Sequence, residues 1–120
     1  MAGDDSSTVP PAQYPANGSL VIYRPHGGET WIRGSSVPIR WYGGQSDWLI
    51  TATLVPLAPS NLAVNYAAAE KILNVGQADL IIPTGLTKGD YYLKLECANC
   101  ALNTFGSITY SFYSVSVKDN

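Results

Sequence analysis

From residue 20 onward the chain alternates between apolar and polar positions in short runs. Over residues 48–55, Trp48, Ile50, Ala52 and Leu54 fall on one side, with Thr51 and Thr53 on the other. Over 91–97, Tyr91, Leu93 and Leu95 face one way and Tyr92, Lys94 and Glu96 the other. A period of two is that of a strand with one buried face. Further β-type runs are read at 20–24, 29–32, 37–42, 79–83 and 108–117, separated by Pro25 with Gly27-Gly28, by Gly34-Ser35-Ser36 and by Gly43-Gly44. Residues 67–71 (Ala-Ala-Ala-Glu-Lys) favour a helix on propensity. One isolated helical turn is marginal, however, and Ile72, Leu73 and Val75 continue the run, so 68–75 is read as a strand. About seven strands in this spacing predict an all-β fold, an antiparallel β-sandwich of the immunoglobulin or fibronectin-III type.

Before residue 19 the pattern vanishes. Residues 1–18 are rich in Asp, Ser, Pro and Ala and are read as a disordered leader to a single domain over 19–118. Asn17-Gly18-Ser19 is a glycosylation sequon at that boundary, with meaning only in a secreted chain. Nothing hydrophobic follows Met1, so no signal peptide opens the sequence. The sequon and the cysteines, rather than a targeting signal, suggest a secreted, extracellular location.

Composition narrows the function classes. The 120 residues are 46% apolar and 13% charged, with a formal net charge of −2, against about 25% charged in an average soluble domain. No basic face is available for a phosphate backbone, so nucleic acid is not an expected partner, and no apolar run is long enough for membrane insertion. The single histidine, His26, leaves little room for catalytic or metal constellations. The carboxylates are scattered through turns and strand ends without the facing pair that glycoside hydrolysis needs. The expectation is a non-enzymatic module without a cofactor.

Cys97 and Cys100 stand in a Cys-Ala-Asn-Cys stretch. In a secreted chain this spacing closes a small disulfide loop; in a cytosolic one it is half a zinc site or a redox pair. Zinc needs two further ligands and a thioredoxin-type motif needs a helix N-terminus, whereas this pair ends a strand. A structural disulfide is the expectation.

Residues 25–41 (Pro-His-Gly-Gly-Glu-Thr-Trp-Ile-Arg-Gly-Ser-Ser-Val-Pro-Ile-Arg-Trp) resemble a fungal extracellular family. This is the Ser/Thr-rich, GPI-anchored cell-wall protein domain shared with the yeast killer-toxin-resistance proteins of β-1,6-glucan assembly. Gly-Asp-Tyr-Tyr-Leu-Lys-Leu at 89–95 and Tyr-Ser-Phe-Tyr-Ser-Val-Ser-Val at 110–117 look like that family's last two strands. The resemblance spans roughly residues 20–117 and implies a secreted, wall-associated β-sandwich without catalytic residues.

Physically, Trp31 and Trp41 of that motif are read as core plugs, Glu29 as an acceptor for turn amides, and His26 as an exposed turn residue. The aromatic surplus is the functional lead. With Val115 and Val117 inward, Tyr110 and Phe112 point outward and join Tyr92 in one flat strip bordered by Lys94 and Glu96. Such rings stack on the C–H faces of sugars. Tyr42 and Trp48, flanking the 43–47 loop, are further candidate contacts. The expected partner is wall polysaccharide, β-glucan, or else another wall protein docking on an edge strand over 110–117.

Overall fold

The structure, a computed structural model, describes residues 18–58 and 63–120. Residues 1–17 of the leader, with Asn17 of the sequon, lie outside the described residues. Among those described there is no helix, and the strands are β1 (Val21–Arg24), β2 (Thr30–Ile32), β3 (Ser36–Tyr42), β4 (Leu49–Pro56), β5 (Tyr66–Leu73), β6 (Gln77–Ile81), β7 (Gly89–Cys97), β8 (Ile108–Tyr110) and β9 (Val115–Lys118). They form a β-sandwich. One sheet has the order β1-β3-β6; the other runs β2-β9-β7-β4-β5, with β8 also paired to β7. All ladders are antiparallel except β2 with β9.

The alternation sets the sides of each sheet. Ile50, Ala52 and Leu54 of β4 and Tyr91, Leu93 and Leu95 of β7 are fully buried, and Val115 and Val117 of β9 join them. Ile22, Ile39, Trp41 and Leu80 close the core from the smaller sheet. Trp31 and Trp41 are both buried, as plugs should be, since an aromatic side chain brings on the order of 200 Å² out of water. The 67–71 segment is a strand, with two register shifts against β4 and with Lys71 in the left-handed region at φ 55°. Pairing with the hydrogen-bonded ladder of β4 outweighs its local helix propensity.

Two expectations fail here. The run 108–117 is not one strand: β8 ends at Tyr110, β9 starts at Val115, and the chain between leaves the ladder. Nor is its C-terminal half an edge, because β9 lies between β2 and β7. The lateral edges belong to β1, β6, β2 and β5, and β8, the N-terminal half of that run, is paired on one side only, with β7.

The C-terminal end is tied back electrostatically. Asp119 accepts a hydrogen bond from Arg33 Nε at 2.7 Å and pairs with Lys88 Nζ at 3.3 Å. The Arg33 hydrogen bond, aided by Lys88, holds the Asp119 carboxyl below its ordinary value of 3.8. A carboxyl depressed in the folded state contributes stability above its unfolded pKa, and loses it as pH falls through the lower folded value. Asp119→Asn is therefore expected to lower the urea midpoint slightly at neutral pH. The difference from the parent should vanish on acidification to below the folded pKa. A gap that persists in acid would show that charge is not the cause.

Candidate aromatic binding site

Ser111 decides the geometry of the aromatic residues. It is buried where β8 leaves β7; its N–H donates to Leu93 O at 2.7 Å, while its hydroxyl accepts from Leu93 N–H at 3.0 Å and donates to Tyr113 O at 2.9 Å. A side-chain oxygen thus replaces a ladder carbonyl, so Leu93 stays satisfied while two residues are expelled from the strand. Phe112 is 82% and Tyr113 63% exposed. Irregularities of this kind re-aim side chains at the margins of sheets.

They are joined by Tyr23 of β1 and Tyr42 of β3, ring centroids 5.9 Å apart and tilted by 31°. These rings line a groove of about 300 Å³ together with the turn Pro25, His26 and Gly27. The turn is fixed by Glu29, whose carboxylate accepts the His26 backbone N–H at 2.6 Å and the Trp31 indole N–H at 3.0 Å. Glu29 thus plays the turn-acceptor role read from the sequence. A Cβ on Gly27 would stand 3.2 Å from Tyr113 Cγ, so a glycine lets the ring close over the turn.

The candidate residues therefore divide. Tyr92 and Tyr110 lie on the outer face of the larger sheet, Tyr110 opposite Lys94 in register, and Lys94 pairs with Glu96 at 3.2 Å. Phe112 does not extend that strip; it lines the groove with Tyr42. Trp48 is corrected outright: it is 8% exposed, belongs to the core, and packs so closely on Gly44 that a Cβ there would lie 2.5 Å from the indole. The loop that carries it folds inward because Asn74 donates to Gly43 O and Gln45 O, and Asn99 donates to Asp47 O and accepts from Leu49 N–H. Cys97 and Cys100 are joined by a disulfide, which closes the turn that presents Asn99.

Sequence reasoning missed Tyr23, Tyr113 and Ser111. The available signal was a small polar residue interrupting a β-branched and aromatic run. Exposed apolar side chains also concentrate in this part of the chain: among the described residues, six of the eleven large ones (Leu102, Phe105, Ile108, Tyr110, Phe112 and Tyr113) fall within residues 102–113. Patches of this kind mark interaction surfaces. Among the described residues no three His, Cys, Asp or Glu side chains gather as a metal site, and no helix is long and apolar enough to cross a membrane.

Comparison with protein-family models, with curated proteins and with solved structures finds no match for this chain.

Proposed function

We propose that this protein is a non-catalytic, secreted cell-wall module that binds polysaccharide, with β-glucan as the polymer implied by the fungal resemblance. The observation that carries the reading is the pair Phe112 and Tyr113, held outside the ladder by a buried serine and lining one groove with the Tyr23–Tyr42 pair. An aromatic groove with few charges suits the C–H faces of pyranose rings. The disulfide is compatible with an oxidising, extracellular setting. What supports the finer, immunoglobulin-like placement is the strand order: first, third and sixth strands in one sheet, facing a sheet in which the seventh lies between the fourth and the ninth. Assembly through an edge strand has less in its favour. β5 is bulged twice and carries Lys71, both of which blunt an edge against pairing.

The test is sedimentation of the purified protein with insoluble β-1,3-glucan, β-1,6-glucan, chitin and mannan. Phe112→Ala is expected to weaken retention on the preferred polymer roughly 2- to 12-fold, the value of one aromatic stack. Because Phe112 is 82% exposed, its melting temperature should not move. Retention that survives Phe112→Ala but falls with Tyr92→Ala and Tyr110→Ala would transfer the site to the outer sheet face. Absence of retention on every polymer would overturn the reading.

A further inference from the structure

Beside the groove, the outer face of the smaller sheet carries a charge arrangement that packing does not require. Arg24 and Arg40 stand directly opposite one another in the β1–β3 register, next to Tyr23 and Tyr42. Residues so paired have Cβ atoms ~5 Å apart, and like charges at that spacing repel. Among the described residues, the one ion-pair contact to either is Arg24 Nε to Glu29 Oε2, at 3.8 Å. That carboxylate already accepts the His26 and Trp31 N–H groups at shorter range. Arg40 donates to the Ile39 carbonyl at 3.1 Å and forms no ion pair with Asp79, its diagonal neighbour across β3–β6. The Arg24 side chain is 44% exposed.

We propose that Arg24 and Arg40 form a subsite for an anionic substituent, a carboxylate or a phosphate, on a saccharide whose rings stack in the adjoining groove. Charge complementarity selects this occupant. The two arginines face one another on the ladder, and among the described residues the one carboxylate in ion-pair contact with either is Glu29, 3.8 Å from Arg24 and already engaged by two N–H groups. Guanidinium forks match carboxylate and phosphate oxygens. The inference rests on the groove's being a saccharide site and adds the class of chain that fills it. A neutral β-glucan occupies the aromatic half alone; an acid-bearing polysaccharide occupies both halves.

Calorimetric titration with laminarin, polygalacturonate and phosphomannan tests this, at low and at physiological ionic strength. At least one acidic polymer should bind about tenfold more tightly than laminarin, the worth of a charge-assisted contact, and the advantage should shrink with salt. Which polymer shows it separates carboxylate from phosphate recognition. Arg40→Gln should remove the preference while leaving laminarin affinity unchanged, and Arg24→Gln provides a second variant should the first fail to fold. Equal affinity for neutral and acidic chains, or a preference kept by both folded variants, overturns the subsite; a loss of laminarin binding in Phe112→Ala would still uphold the groove. An acid preference that Phe112→Ala leaves untouched also overturns it, because the anion would then bind apart from the groove. If no saccharide binds at all, the groove reading falls and the subsite with it.

Discussion

Replacing Trp41 with alanine is expected to cost about 3–5 kcal/mol of folding free energy, the range for deleting a large buried aromatic. Trp41 is 1% exposed, one residue before the end of β3. Its indole N–H donates to Asn74 Oδ1 at 2.6 Å, and Asn74 in turn donates to Gly43 O and Gln45 O at 3.1 and 2.9 Å. The substitution therefore removes core volume and also loosens the side chain that folds the 43–48 loop inward. Against a total stability of roughly 5–15 kcal/mol for a typical domain, a loss of this size removes between about a fifth and all of the folding margin. Urea denaturation followed by the remaining tryptophans, Trp31 and Trp48, measures it. Trp41→Phe keeps most of the ring and loses the hydrogen bond, so its loss should fall between parent and Trp41→Ala. A cost below about 1 kcal/mol for the alanine variant would contradict the packing described, since that is the range of surface changes.

Ser111→Ala is expected to separate stability from recognition in a different way. Its hydroxyl is the acceptor for Leu93 N–H in a buried position, so deleting it leaves a backbone donor unpaired. Such an orphan costs about 1–3 kcal/mol. The same hydroxyl holds Tyr113 O, so the expelled pair of aromatics loses its anchor at the same time. Phe112→Ala should weaken polysaccharide retention without a change in midpoint, whereas Ser111→Ala should lower both. Ser111→Thr, which keeps the hydroxyl, should restore retention. The Leu93 amide reports the event directly, because its hydrogen exchange should accelerate in Ser111→Ala alone. Parent-like exchange at Leu93 in that variant would show that the hydroxyl is dispensable.

Much of the sandwich was legible in the residues because its central strands are buried on one face only. In β4 and β7 every second side chain enters the core, and period-two alternation records that burial directly. The site was less legible for two reasons. A small polar residue interrupting the run 108–117 marks Ser111 no more than Ser114 or Ser116, and its partner, Leu93, lies 18 positions away. The inward turn of Trp48 likewise depends on Asn74 and Asn99, amides whose targets are set by tertiary contact and not by spacing. The adjacency of 91–97 to the 108–117 run, on which the expected strip depended, holds in the register. The other strand neighbours were illegible, and the placing of β9 between β2 and β7 removed the expected edge there.

The parallel pairing of β2 with β9 also imposes an order of events during synthesis. Thr30–Ile32 has its ladder partner in Ser116–Lys118, and the Arg33–Asp119 bond next to it spans 86 positions. At a translation rate of about 5–20 residues per second, that separation amounts to roughly 4–17 s. For that interval the nascent chain displays an unpaired strand bearing Trp31, while β3 and β6 are made and can complete the smaller sheet with β1. Ser116–Lys118 thus act as a latch on β2, and the long closure they require predicts slow folding in the milliseconds-to-seconds range of high-contact-order β proteins.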